Sequence, residues 1–459
     1  MIFSASKVVW QGKWLQVLSF LRKIDAWATI HHTALFWALC ILYKFALDAL
    51  YIWTASPLYA YAGLVYQPSS SKYILSAVLY LILFAALPKA EHRISSFLLH
   101  IQFLFTVAPL LSFYALSDGS TRYILMVFLC ILLQTWIVRL PEKENVKPIH
   151  IKGVQNYVTV ALVVLLLFTI AIPIIYNGFA GVKAFDFQYI YTMRENATYP
   201  PGFGYILDWM PKVVLPFACL IFLQRRYYRL FTLCVAAQVL FYMETGNKFT
   251  LFILIPVVAV YLLTKTNHAL KLMYMGFILL CIGVIFLYQL DKTSSGTLGI
   301  FAGAFIAVRA IFHPADNKFN YYEYFSTHPK VFFSDGQVGK MFSLTYPYAG
   351  SIGQVSFASG GGEFLAANMN TGYLGESYAQ MGFLGMLLMA ALLGIIVRSL
   401  GVYRTRACFS IIAAFFSIYF IKLNDGALFT NLVTGGMLLA FLLVFIYFGK
   451  QQEDAHYGI

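Results

Sequence analysis

Apolar runs long enough to cross a bilayer recur along this chain, and that feature limits the fold more than any other. A membrane-spanning helix needs about 20 mostly apolar residues. Hydrophobic residues make up 60% of the 459 positions and charged residues only 11%, whereas a soluble domain has about 25% charged residues. The sequence therefore predicts an all-α integral membrane protein with about 12 transmembrane helices. The predicted spans are 33–53, 73–88, 94–116, 123–140, 156–177, 209–224, 230–246, 248–264, 270–290, 383–402, 407–423 and 429–448.

Lysine and arginine concentrate in one set of connections between the predicted spans. Short segments such as RRYYR at 225–229 and YRTR at 403–406 belong to this set, and cytoplasmic loops are the ones that collect such cations. An even number of spans then places both termini in the cytoplasm. These loops account for the net charge of +13, so the charge does not require nucleic acid as a partner.

The other side of the membrane then carries one loop near 178–208 and one large loop. In the large loop, TLGIFAGAFIAVRAIF places Phe301, Phe305, Val308 and Phe312 on one helical face, which predicts a helix lying in the membrane interface or dipping into it. The predicted organisation is an N-terminal cytoplasmic or interfacial segment 1–32, helices 1–9 over 33–290, the large extracytoplasmic loop 291–382, helices 10–12 over 383–448 and a cytoplasmic tail 449–459.

Motifs for nucleotide and metal chemistry are absent from the sequence. It has no P-loop, no dinucleotide fingerprint, no CxxC pair and no HExxH. The six cysteines all fall in apolar runs, where they are expected to pack as small hydrophobic side chains rather than bind metal or form disulfides. No cofactor and no metal are therefore predicted.

Single cations among aromatic residues are the feature of the predicted outer side that favours a phosphate ligand. Arg194, Lys248 and Arg309 lie at membrane boundaries or beside apolar faces, and an arginine can bind phosphate oxygens through two parallel hydrogen bonds. We expect these three side chains to hold a diphosphate at the membrane surface. The remaining outer cations, Lys318, Lys330 and Lys340, are interpreted as solvated loop charges.

Tyrosines and proton acceptors accompany these cations. Tyrosine clusters in the outer loops could bind sugar rings or could form an interfacial aromatic belt. A hydroxyl that attacks an anomeric carbon needs a proton acceptor, and His328 and Glu323 are the preferred candidates. The full set of outer-side candidates is Glu195, Asp208, His313, Asp316, Glu323, His328, Asp335, Glu363 and Glu376. In the membrane, Lys44 and Asp48 are four residues apart on one helix face and are expected to pair with each other.

Three segments resemble one family. RAIFHPADNKFNYYEYFSTHPKVFFS is similar to the outer-loop segment of Wzy-type oligosaccharide repeat-unit polymerases. NMNTGYLGESYAQMGFLGMLLM resembles the segment by which that family re-enters the membrane. ETGNKFTLFILIPVVAV resembles the start of a membrane span in this family. Lys248 stands where the family usually has arginine, so the positive charge is kept but the paired hydrogen-bond donors of a guanidinium group are lost. The matching outer-loop residues are Arg309, Pro314, Tyr321, Tyr322, Phe325, Ser326, His328 and Pro329.

The resemblance implies an enzyme of a bacterial inner membrane with a periplasmic active face, which polymerises O-antigen, capsule or exopolysaccharide units. Its substrates would be glycan donors and acceptors linked to undecaprenyl diphosphate, and a chain-length regulator protein would be a further partner. Taken together with the cations and proton acceptors above, the expected catalytic residues are His328, Glu323 and Arg309. The expected substrate-binding residues are Arg194, Lys248, Arg309, Tyr321, Tyr322, Asn370, Tyr373 and Glu376.

Two alternatives stay open at this point. An O-antigen ligase shares the topology and the large outer loop. A flippase or transporter of lipid-linked oligosaccharide has a similar number of spans, although flippases tend to have short outer loops, and the loop of about ninety residues argues against one.

Overall fold

The structure is a computed structural model that describes residues 32–141, 203–246, 248–294, 296–359, 369–403 and 405–448, with isolated positions between 160 and 189. The described residues form helices and no strands, and their only β pairing is a single bridge between Gln67 and Ser117. This confirms the predicted all-α class. Among these residues, seven helices are long and apolar enough to cross a membrane, as expected for a multi-pass membrane protein.

The helices are numbered here in chain order. They are α1 (Thr33–Ala62), α2 (Ser70–Ala86), α3 (Ile94–Leu116), α4 (Thr121–Arg139), α5 (Leu207–Gln224), α6 (Tyr228–Thr245), α7 (Lys248–Phe252 with Leu254–Leu263), α8 (Ala269–Ser294), α9 (Leu298–Thr327), α10 (Gln337–Met341), α11 (Ile352–Ser359), α12 (Gly372–Leu400), α13 (Arg406–Lys422), α14 (Leu428–Leu432) and α15 (Met437–Phe448).

Helices cover most of each predicted span that falls in the described residues, and most ends differ by a few residues. The exceptions are α1, which extends nine residues beyond 53, α12, which begins eleven residues before 383, and the span 429–448, which holds α14 and α15 with a break at 433–436. The seven that are long and apolar enough to cross are α1, α3, α4, α5, α8, α9 and α12, whereas α2, α7 and α15 are shorter apolar helices. The predicted span 156–177 and most of the loop 178–208 lie outside the described residues. The number of twelve spans therefore stays a prediction.

The connections that are rich in lysine and arginine meet at one end of the bundle, called here the cation-rich end. Arg406, which begins α13, donates to Asn267 Oδ1 between α7 and α8 at 2.9 Å. The Lys271 ammonium lies 3.4 Å from a carboxylate oxygen of Glu91, which belongs to the α2–α3 connection. The connections that the sequence marks as rich in lysine and arginine are thus neighbours in space. The assignment of this end to the cytoplasm stays a prediction.

A buried ion pair supports the packing of α1 against α2. Lys44 donates to both carboxylate oxygens of Asp48, at 2.7 and 2.8 Å, and Tyr73 donates to Asp48 at 2.9 Å. Both charged side chains are almost fully buried. The predicted pairing of Lys44 with Asp48 is confirmed, and its geometry supplies the partners that ionised groups need inside an apolar bundle.

Helix α9 lies inside the segment predicted as a large outer loop, and its aromatic face differs from the prediction. Val308 and Phe312 are buried, whereas Phe301 and Phe305 are 47% and 37% exposed and pack on each other at 4.3 Å. The reason is that Gly303–Phe312 winds as a π-helix. Because its hydrogen bonds join residues five apart, positions at spacings of three and four no longer share one face through this stretch.

Helix α12 is broken into two arms at Met381 and Gly382. Gly382 has φ +63° and ψ −147°, a backbone conformation that is essentially restricted to glycine. A Cβ on Gly385 would collide with the carbonyl oxygen of Ser377, although residues eight apart in one straight helix are separated by about 12 Å. The chain therefore reverses its direction at Gly382.

Contacts with helix α4 establish the direction and the extent of the two arms of α12. The second arm runs antiparallel to α4: the Arg122 guanidinium lies 5.6 Å from the Phe383 ring centre, and Gly394 packs on the backbone of Gln134. The first arm, 372–380, starts inside the bundle, since the Tyr373 hydroxyl also reaches Gln134. Nine residues of helix extend only about 13 Å, so the first arm re-enters the bundle without crossing it.

A buried amide pair anchors the start of the first arm. Gln102 of α3 and Gln134 of α4 donate to each other at 3.0 and 2.7 Å, and Gln102 also donates to the Tyr373 hydroxyl at 2.6 Å. Reciprocal amide bonds satisfy most of the polar atoms that these three side chains bring into the apolar interior. The re-entrant arm is thus held by hydrogen bonds as well as by packing.

Replacing Gln134 by Leu is expected to destabilise the protein by about 1–3 kcal/mol, because the Gln102 oxygen loses its donor in a buried site. The measurement is the thermal unfolding midpoint in detergent. The matched control is the triple variant Q102L/Q134L/Y373F, which removes all the polar groups together and should be less destabilised than Q134L alone. A Q134L protein that unfolds with the wild-type midpoint would contradict this account of the anchor.

Candidate functional site

The second half of α9 packs over the turn between the two arms of α12, at the end of the bundle opposite the cation-rich end; this is called here the α9 end. Tyr322 stacks among Tyr123, Tyr378 and Phe383, with ring centres 5.1, 5.0 and 6.3 Å away. Aromatic contacts of this geometry are favourable and rigid. They fix α9 against the hairpin turn.

Two carboxylates are held together at this turn by one amide. The Gln380 Nε2 atom donates to Glu376 Oε1 and to Asp335 Oδ1, each at 3.1 Å. The two acceptor oxygens are therefore within about 6 Å of each other. Gln380 itself is held because its side-chain oxygen accepts from the Phe333 N–H at 2.6 Å. Helix α12 and the segment after α9 thus each contribute one acid to a single pair.

The backbone next to this acid pair is strained. Phe332 and Phe333 have φ of +51° and +61°, in the left-handed region that bulky side chains rarely adopt. Both N–H groups donate to Gln380. The Phe332 N–H donates to the Gln380 backbone carbonyl at 3.0 Å, and the Phe333 N–H donates to the Gln380 side-chain oxygen. These bonds cap the end of the first arm. Strained residues cluster at functional sites, which makes this turn a candidate site.

Tyrosines surround the carboxylates. Burial and the nearby charge of Asp335 raise the pKa of Tyr346 to about 12, and its hydroxyl donates to the Gly350 carbonyl at 2.7 Å. Tyr321 donates to the Met369 carbonyl at 2.7 Å, and Asn317 donates to the Asn370 carbonyl at 2.6 Å. Contacts from α9 therefore hold the chain just before the first arm.

Two cations lie at the same turn. The Lys330 ammonium lies 4.3 Å from the Tyr378 ring centre and donates to the Phe325 carbonyl. Burial lowers the pKa of Lys330. Arg122 lies over Phe383. The cation–π contacts place both positive charges beside the aromatic cluster.

Sequence reasoning missed both of these cations. Lys330 was interpreted as a solvated charge, but it is half-buried. Arg122 is the second residue of α4, and only the chain reversal at Gly382 brings Phe383 under it. The prediction for Lys318 is wrong: its ammonium is buried and donates to the carbonyl oxygens of Pro314 and Asn424 at 2.8 and 2.6 Å. Lys340 is exposed, as predicted.

The residues predicted to be catalytic lie on exposed parts of α9 and just after it. Arg309 is exposed, close to Tyr59 and His313. Glu323 is exposed as well. His328 stacks on Tyr324 at 4.0 Å with the rings nearly parallel, and its Nδ1 lies 2.9 Å from the Tyr324 carbonyl oxygen. The contacts of these three side chains do not include the acid pair.

The residues predicted to bind substrate are divided among several places. Tyr321 and Glu376 lie together at the acid pair, and Asn370 is exposed just before the first arm. Tyr322 belongs to the aromatic cluster, and Tyr373 lies in the bundle interior with the amide pair. Arg194 lies outside the described residues, as does the side chain of Lys248 at the start of α7.

The arrangement at the turn can accept a proton and bind an anion that carries sugars. A carboxylate can take a hydroxyl proton, the aromatic faces suit sugar rings, and the cations suit a phosphate group.

Within the described residues, no group of three or more His, Cys, Asp or Glu side chains could hold a metal ion. The six cysteines are buried, as expected for small hydrophobic side chains in apolar runs. Comparison of the chain with models of protein families, with curated proteins and with solved structures finds no match.

Proposed function

We propose that this protein is a membrane glycosyltransferase that polymerises oligosaccharide repeat units linked to undecaprenyl diphosphate, acting at the α9 end. The observation that carries the proposal is the acid pair of Glu376 and Asp335, joined by Gln380 beside Lys330. A proton acceptor, a cation and aromatic faces in one place are what transfer of a sugar from a diphosphate requires. The resemblance of the α9 segment to repeat-unit polymerases supports the same reaction.

The reaction joins the growing glycan to the incoming unit. A hydroxyl oxygen of the acceptor sugar attacks the anomeric carbon of the donor, and its proton passes to a carboxylate oxygen of Glu376 or Asp335. The bond from that carbon to the diphosphate oxygen breaks, and undecaprenyl diphosphate leaves with the electron pair. Lys330 and Arg122 stabilise the charge that develops on the diphosphate. Arg309 and His328 would act from the exposed side of α9.

The decisive experiment incubates the purified protein with synthetic undecaprenyl-diphosphate repeat units, with and without chelator. A ladder of polymer lengths is expected in both samples, because the diphosphate is already an activated leaving group. Absence of a ladder with every plausible unit would favour the transporter. A deletion strain separates the ligase: loss of a polymerase leaves a single capped repeat, whereas loss of a ligase leaves none.

Replacing Arg309 by Ala is expected to abolish long chains while protein levels stay unchanged. The side chain is exposed, so its removal should cost little stability, whereas loss of a positive charge that binds the anionic substrate should lower the rate by about 10²- to 10³-fold. Polymer length on a gel is the measurement. Lys340→Ala, which removes an exposed cation at the same end, is the matched control, and normal chains in R309A would refute the role of Arg309.

A further inference from the structure

A cavity of about 430 Å³ lies at the cation-rich end of the bundle, far from the acid pair. Three parts of the chain form its walls: the α2–α3 connection with His92 and Arg93, the end of α4 with Arg139, and the α12–α13 connection with Tyr403. A connection between helices is normally a surface feature. Here two connections and the end of α4 line one concave space, open on one side, that is large enough for a small polar group.

The described lining of the cavity is positively charged. Arg93 and Arg139 contribute two guanidinium groups, and no acidic side chain is among its described lining residues. Arg398, in the last turn of α12, donates to the Pro141 carbonyl at the wall of the cavity. Two arginine forks and a tyrosine hydroxyl match the oxygen atoms of a phosphate group better than those of a neutral ligand.

The surface next to the cavity places it at the depth of lipid headgroups. Trp136 lies one turn before Arg139 on α4 and is 60% exposed, and exposed tryptophans mark the membrane interface. Leu125 and Leu129 are exposed on α4 as well. Leu125, Leu129 and Trp136 are spaced four and seven residues apart, so they lie on one face of α4. This face forms an apolar surface that extends from the cavity toward the other end of the helix.

We propose that this cavity binds a phosphate group, and that the headgroup of an anionic phospholipid supplies it. The phosphate lies between Arg93 and Arg139, with Tyr403 donating a hydrogen bond. The acyl chains lie along the exposed face of α4. Such a lipid ties together the α2–α3 connection, α4 and the α12–α13 connection, and its binding is independent of the reaction proposed for the α9 end.

Native mass spectrometry of the full chain in neutral detergent tests the proposal with three probes: phosphatidylglycerol, phosphatidylcholine and inorganic phosphate. The wild type should retain phosphatidylglycerol at least about tenfold better than phosphatidylcholine. The double variant R93Q/R139Q should lose this preference. The control R229Q, which removes an exposed arginine of the same end outside the cavity, should keep it.

The probes also distinguish the source of the phosphate. Phosphatidylglycerol that millimolar inorganic phosphate fails to displace identifies a lipid, whereas phosphate binding without lipid preference assigns the cavity to a free anion and overturns the lipid assignment. R93K/R139K keeps the charge and should retain an intermediate amount of lipid, which separates a binding defect from a folding defect. Equal retention of phosphatidylglycerol by wild type and R93Q/R139Q overturns the proposal, as does an equal loss in R229Q.

Discussion

Replacing Glu376 by Gln is expected to lower the rate of polymer formation by about 10²- to 10⁴-fold, the usual contribution of a general base. The amide keeps the shape of the side chain and can still accept the hydrogen bond from Gln380. The change therefore removes a proton acceptor without opening a cavity or stranding a polar atom. The measurement is the initial rate of ladder formation by purified protein, with the unfolding midpoint recorded for the same sample.

The companion variant, Asp335→Asn, identifies which carboxylate takes the proton. Because one amide holds both acids, the variant with the greater loss marks the base and the other marks the residue that orients it. Asp118→Asn serves as the matched control, since Asp118 is an exposed acid of the same end, 2.6 Å from Lys72. Wild-type rates in both E376Q and D335N would remove the acid pair from the mechanism. A greater loss in E323Q or H328A would favour the residues chosen from the sequence.

The helical framework could be predicted from the sequence because its signal is local. A run of apolar residues such as 94–116 must satisfy its backbone hydrogen bonds internally in a bilayer, and only a helix does so along one segment. The pairing of Lys44 with Asp48 is local in the same way, since a spacing of four residues places two side chains on one helix face. The start of a predicted span at 383 coincides with the second arm of α12.

The acid pair could not be predicted because it depends on contacts between distant residues. Glu376 and Asp335 both belonged to the set of proton-acceptor candidates, but nothing in the sequence relates them to each other. Their association depends on Gln380, on the reversal at Gly382 and on the left-handed backbone of Phe333. Sequence periodicity assumes one regular helix, so it reports neither a reversal inside α12 nor the π-helical winding of α9.

Replacing Gly382 by Ala is expected to destabilise the protein by about 1–3 kcal/mol, because its backbone conformation is essentially restricted to glycine. Among the described residues, a methyl group would meet only the Lys330 side chain, at 3.4 Å, so backbone strain rather than a clash is the cause. Relief of that strain would move the two arms apart and displace Gln380, which holds both carboxylates. We therefore expect the rate of polymer formation to fall together with the unfolding midpoint.

Gly283→Ala is the control that separates this effect from the general consequence of adding a methyl group to a glycine. Gly283 lies within the regular helix α8 with open space around it, and alanine has a higher helix propensity than glycine by about 1 kcal/mol. G283A should therefore keep or raise the unfolding midpoint and keep the rate, whereas G382A lowers both. If G382A were as stable and as active as G283A, the chain could not reverse at this position, and the acid pair would lose the geometry on which its proposed role depends.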